Sequence, residues 1–147
     1  MDVQDWHYVI IGSGLAGTSA IEGIRKQDKD RPILLIGADP NFPYDRPPLS
    51  KKLWFGKKKV EDIFLHDPAY YKENLVTFHR GNWVEHLDPE HNTIKDNRGQ
   101  AFRFGKLLLA TGGIPQVFHL PGGNLKEIFY FRTLDDYQLL RERATPG

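Results

Sequence analysis

A chain of 147 residues, 39% hydrophobic and 27% charged, is long enough to bury about two-thirds of its unfolded surface in one domain and too balanced to be disordered or membrane-embedded. Twenty basic against nineteen acidic side chains leave a net charge of +1, which excludes a global field that would draw nucleic acid or an anionic membrane. The absence of cysteine excludes a redox-active disulfide, a thiolate nucleophile or a cysteine zinc site within the chain, and no window approaches the roughly 18 apolar residues of a membrane span.

The first seven residues, Met1 to His7, carry neither a basic stretch nor an apolar one, so the expectation is a cytoplasmic protein. Tyr8-Val9-Ile10-Ile11 reads as a strand. It runs into G-x-G-x-x-G at Gly12-Ser13-Gly14-Leu15-Ala16-Gly17 and then a helix from Thr18 to Gln27. The spacing has a chemical logic: Gly12 permits the tight turn, Gly14 lets a pyrophosphate approach bare backbone, and Gly17 lets the helix pack closely on the sheet. An anion would rest on the unpaired N–H groups at the positive end of that helix. A second strand over 32–37 ends near Asp39, at about the spacing where an acidic residue meets a ribose hydroxyl. Asp39 equally suits a loop carboxylate that starts the turn Asp39-Pro40-Asn41, and both readings stand at this point.

Residues 39–49 hold four prolines and predict a stiff loop, followed by a short helical turn over Ser50 to Phe55 that Gly56 stops. Lys57-Lys58-Lys59 reads as a solvated loop in preference to a polyanion site, since no basic stripe supports the latter. Asp67 and Pro68 predict the N-cap and first position of a helix over Ala69 to Asn74, and Leu75 to His79 a third strand closed by Gly81. Trp83 to Leu87, Asn92 to Asp96 and Ala101 to Phe104, with a turn at Asn97-Arg98-Gly99, predict a three-stranded antiparallel meander. Lys106 to Ala110 is a continuous apolar run suited to a strand buried on both faces. Ile128 to Phe131 reads as a further short strand. Thr133 caps a helix running to about Ala144, and Thr145-Pro146-Gly147 resembles a linker. The six histidines show no metal-ligand spacing, so no metal site is expected. The fold class is α/β, with a central parallel sheet plus the meander.

The order I-I-G-S-G-L-A-G, F-P-Y-D-R-P-P-L-S-K, L-L-L-A-T-G-G-I-P and Y-F-R-T-L-D-D-Y resembles the N-terminal part of the FAD-dependent pyridine nucleotide oxidoreductases. The branch it resembles holds bacterial ferredoxin reductases and apoptosis-inducing-factor-like proteins. The likeness runs from about residue 7 to 144, and the proline-rich motif is its most specific element. It implies a Rossmann-like FAD-binding domain over 1–147, with nicotinamide-binding and C-terminal domains outside this chain, and NAD(P)H as co-substrate of the full-length enzyme.

Carried over by position, Gly12, Ser13, Gly14, Leu15, Ala16 and Gly17 would serve the pyrophosphate and adenosine of FAD, and Asp39 the adenosine ribose. Arg46 would meet the phosphates, for which its planar fork of donors is suited. Lys51, the expected catalytic residue, would lie near the reactive flavin nitrogen, where a cation stabilises the reduced ring. Val84 would offer backbone to the adenine, Thr111 and Gly112 would border the cofactor, and Arg132 would be the last contact. Arg46 and Arg132 also suit surface ion pairs, and Lys51 an exposed helical lysine. Ala38 stands where relatives often carry a second acid, so ribose recognition falls to Asp39 alone.

The resemblance further implies electron transfer from NAD(P)H through FAD to an external acceptor, a ferredoxin-like protein or a quinone, since the cysteines of the disulfide reductases are missing. The chain alone is expected to be inactive. The alternative is a truncated, non-catalytic dinucleotide-binding or interaction module.

Overall fold

The computed structural model describes residues 3–144, and the linker-like Thr145-Pro146-Gly147 lies outside them. Six strands, β1 (Gln4–Ile11), β2 (Ile33–Gly37), β3 (Val76–Arg80), β4 (Val84–Asp88), β5 (Thr93–Asp96) and β6 (Ala101–Leu109), alternate with α1 (Leu15–Gln27) and α2 (Pro68–Glu73); α3 (Leu134–Arg143) follows. The strands form one sheet in the order β3-β2-β1-β6-β5-β4. β3, β2, β1 and β6 run parallel, while β4-β5 and β5-β6 are antiparallel. Both the parallel sheet and the meander expected from the sequence are therefore present.

Two units divide the chain, the first running up to Tyr44 and resuming from Phe64 to Gly112, the second taking Asp45–Ile63 and the chain from Gly113 on. The first unit's core follows from period-2 alternation. Val9, Ile11, Leu34 and Ile36 face one side, where Ile94 and Phe102 of the meander close over them. Ile10, Ile33 and Leu35 face the other, against Ile21 of α1 and Tyr71 of α2. All five residues of β2 are buried, as a strand covered on both faces requires. α2 begins with Asp67 accepting from the Tyr70 N–H and Pro68 in the first position, the capping chemistry the sequence carried.

In the second unit Pro47–Ser50 form a 3-10 turn, so the turn starts on the prolines rather than after them; Gly56, with φ of +68°, ends the hydrogen-bonded turns that follow. α3 packs on this 3-10 turn. The rings of Phe131 and Tyr137 stand edge-on to Trp54, and the Arg141 guanidinium lies 5.2 Å from the Trp54 ring centre.

Three expectations are corrected. Ala101–Phe104 and Lys106–Ala110 are not separate strands: β6 is one nine-residue strand whose first half closes the meander and which pairs with β1 from Phe102 to Leu109. Its apolar end is not buried on both faces. β5 pairs with it only over Ala101–Arg103, and beyond that point Leu108 and Leu109 stay 41% and 59% exposed. Ile128–Phe131 is no strand either, because among the described residues it has no ladder partner to satisfy its backbone. Side chains hold it instead: the Tyr130 hydroxyl accepts from the Phe118 N–H, and Phe131 meets Trp54.

Candidate functional site

The chain goes from β1 through α1 to β2 on one side and returns to place β6 on the other, so the strand order reverses between β1 and β6. In open α/β sheets the crevice outside the carboxyl ends of such a strand pair is where ligands bind. The residues at those ends are Gly12 after β1 and Ala110, Thr111 and Gly112 after β6, tied together by the Ala110 N–H donating to Ile11 C=O at 2.7 Å. The glycine loop thus stands at the one position where the topology opens the sheet.

Each glycine of the loop has a different reason to be there. Gly12 adopts φ of +111°, and a methyl group on it would collide with the carbonyl of Ala110. Gly17 lies under the Gly12 carbonyl, where a methyl would also collide, so the helix and the turn touch backbone to backbone. Gly14 is different: φ is −80°, and a methyl there would meet nothing within 4 Å. The space beside Gly14 is what a phosphate group requires, and among the described residues nothing lies within 4 Å of it.

Gly14 is also the N-cap of α1, yet no side chain caps the helix and its first turn holds no acidic residue. A 13-residue helix with its leading N–H groups uncapped presents donors and a positive dipole end to an anion. Leu15 and Ala16, both exposed, carry two of those groups. Ser13 is buried, and its side chain packs on Gly37 at the end of β2. The donor set and the open cradle fit a pyrophosphate.

Asp39 is half-buried after β2, and its carboxylate is engaged within the loop: Oδ1 accepts from the Asn41 N–H at 2.9 Å and from Asn41 Nδ2 at 3.0 Å, and Oδ2 from the Tyr44 hydroxyl at 2.7 Å. The loop-carboxylate reading is realised in these bonds. Gly81 and Asn82 brace the same corner, their N–H groups donating to the carbonyls of Asp39 and Gly37. Val84 opens β4 directly after, paired with Asp96, and the ladder is interrupted between Val84 and His86 by a bulge of the kind that clusters beside sites. Buried Asp96 fixes this end of the meander. Its Oδ2 accepts from Asn82 Nδ2 at 2.7 Å and its Oδ1 from the N–H groups of Arg98 and Gln100.

The second unit carries the cations. Arg46, half-buried, precedes the 3-10 turn, its carbonyl accepting from the Leu49 N–H, and no described carboxylate pairs with its guanidinium. The surface ion-pair alternative for Arg46 thus finds no acid among the described residues. Lys51 is exposed at the end of that turn. Arg132 immediately precedes Thr133, the N-cap of α3, and the helix start is a full capping box: Thr133 Oγ1 accepts from the Asp136 N–H, while Asp136 Oδ2 accepts from the N–H groups of Thr133 and Arg132. Burial alone would push the Asp136 carboxyl up, but these hydrogen bonds outweigh it and hold it below the ordinary aspartate value. The backbone at Arg132 is thereby pinned.

Gly12 to Gly17, Asp39, Val84, Thr111 and Gly112 therefore belong to the first unit, and Arg46, Lys51 and Arg132 to the second. Three contributors escaped the sequence reading. Tyr44 holds Asp39, Ala110 forces the glycine at position 12, and Gly37 makes room for Ser13. Only Tyr44 had a visible signal, its place in P-Y-D-R-P-P. Among the described residues no cluster of acidic and histidine side chains could hold a metal ion, and no helix is long and apolar enough to cross a membrane.

Residues 6–147 match the family model described as pyridine nucleotide-disulphide oxidoreductase. The chain is 32% identical to mitochondrial apoptosis-inducing factor 1 of Dictyostelium discoideum over 99% of its own length and 30% of that protein's. It is 34% identical to the ferredoxin–NAD(+) reductase subunit of the benzene 1,2-dioxygenase system of Pseudomonas putida, over 96% of this chain and 34% of that one. Among solved structures, one from the covalent putidaredoxin reductase–putidaredoxin complex superimposes with a TM-score of 0.85 at 30% identity, covering 94% of this chain and 34% of that one. The chain thus spans about a third of the length of these relatives.

Proposed function

The chain belongs to the pyridine nucleotide-disulphide oxidoreductase family, and we propose that it is the FAD-binding N-terminal part of an NAD(P)H-dependent reductase that delivers electrons to a ferredoxin-like protein or a quinone. The observation that carries this reading is the uncapped start of α1, with Gly14 facing open space at the β1/β6 reversal point. Relatives named as ferredoxin–NAD(+) reductases, and a structural neighbour solved with its putidaredoxin, support the acceptor class.

In this reading the N–H groups of Leu15, Ala16 and Gly17 take the pyrophosphate, Asp39 the adenosine ribose, the backbone at Val84 the adenine, and Thr111 and Gly112 the rim beside it. Arg46 and Arg132 neutralise phosphate charge, each a fork of donors that matches phosphate oxygens in two-point contacts. FAD, when bound, supplies the redox chemistry, taking a hydride from the nicotinamide and releasing electrons to the acceptor. Lys51 contributes a cation that offsets negative charge on the reduced ring. With no cysteine in the chain, the reducing equivalents leave to an external acceptor and not to a dithiol of these residues. In this reading turnover needs a nicotinamide-binding part in addition to these residues.

Titrating the chain with FAD and following the visible flavin bands tests the proposal. A saturable one-to-one change supports it; a folded chain that leaves the flavin spectrum untouched overturns it.

A further inference from the structure

We propose that Tyr44 is a positioning residue for the adenosine ribose: by donating to Asp39 Oδ2 it sets the carboxylate so that Asp39 accepts one ribose hydroxyl, through Oδ2, and not two. This rests on the FAD reading above. A carboxylate offers about four acceptor directions. Described residues fill three of them, two on Oδ1 by the Asn41 backbone and side chain and one on Oδ2 by Tyr44. The remaining direction is on Oδ2, on the oxygen whose orientation Tyr44 fixes.

The fixing is firm because the tyrosine is itself held. Tyr44 is 5% exposed, forms an isolated antiparallel bridge with Phe64, and meets the Phe64 ring edge-on at 6.5 Å. Its hydroxyl bond, at 2.7 Å, is the shortest of the three to Asp39. With Ala38 contributing no second acid, the ribose depends on this one oxygen.

The test compares FAD with its 2′-deoxyadenosine and 3′-deoxyadenosine analogues on the unmodified chain and on Tyr44→Phe. One analogue should bind about tenfold more weakly than FAD to the unmodified chain while the other binds as FAD does. Tyr44→Phe should weaken FAD by a similar factor yet leave the affinity for the weaker analogue unchanged, a coupling that a merely structural loss would not produce. Equal losses for the two analogues, no loss for either, or a Tyr44→Phe penalty of the same size for all three ligands would overturn the inference. Should Tyr44→Phe not fold, the two analogues on the unmodified chain decide alone. Failure of FAD itself to bind overturns the functional reading; FAD binding with indifference to both deoxy analogues overturns only the role given to Tyr44.

Discussion

Adding one methyl group to different glycines of the loop should separate folding from binding. Gly12→Ala forces an L-residue to φ of +111° and drives its methyl into the Ala110 carbonyl. The backbone conformation costs about 1–3 kcal/mol, and displacing the end of β6 adds an overpacking cost of about 1–3 kcal/mol. A loss of about 2–6 kcal/mol is a large part of the 5–15 kcal/mol that holds a typical domain together. Gly14→Ala has neither cost, since φ is −80° and nothing lies within 4 Å; exchanging glycine for alanine at an N-cap takes at most about 1 kcal/mol. Its methyl instead occupies the space assigned to the pyrophosphate. Chemical denaturation and an FAD titration on both variants are the assays. Gly12→Ala should unfold at clearly lower denaturant, whereas Gly14→Ala should unfold near the wild-type midpoint and bind FAD at least tenfold more weakly. Wild-type FAD affinity in Gly14→Ala, or undiminished stability in Gly12→Ala, would refute the reasoning.

Arg46→Ala should weaken FAD binding by about tenfold, with Arg46→Lys recovering only part of it because an ammonium cannot make the two-point contact; equal affinities for arginine and lysine, read by the same titration, would count against the phosphate role. Thr133→Ala removes the cap of α3 and should lower unfolding free energy by about 1 kcal/mol in urea melts. Because the Asp136 carboxyl is held below its ordinary value, its contribution is complete above the unfolded aspartate range and fades as pH falls through the lower folded value; Asp136→Asn should flatten that acid limb of the stability curve. Asp96→Ala strips the partner from the buried Asn82 amide and from two backbone N–H groups, and should cost about 2–4 kcal/mol by thermal or denaturant unfolding.

The parts of the fold written in local chemistry were legible in the chain. The β1-loop-α1 turn declared itself through Gly12, Gly14 and Gly17, and α2 and α3 through the caps Asp67 and Thr133, since each depends on residues close in sequence. What depended on distant partners was not. Nothing in Ala101–Leu109 says that a meander strand and a parallel strand are continuous, because that follows from β1 pairing with it from Phe102 to Leu109. Ile128–Phe131 has a strand's composition, but ladder partners are not encoded in a four-residue run. At the site, position and role came apart in the same way. Asp39 stands where the spacing put it, yet that its carboxylate is already three-quarters occupied depends on Tyr44 and Asn41, whose side chains only the folded loop brings to it.

The most direct test is an equilibrium titration of the wild-type chain with FAD, monitored by flavin absorbance and repeated with Gly14→Ala. The account predicts saturation at one flavin per chain for wild type and a binding curve displaced to at least tenfold higher FAD for the variant. Two superimposable curves, or a properly folded wild-type chain that takes up no flavin, would contradict it.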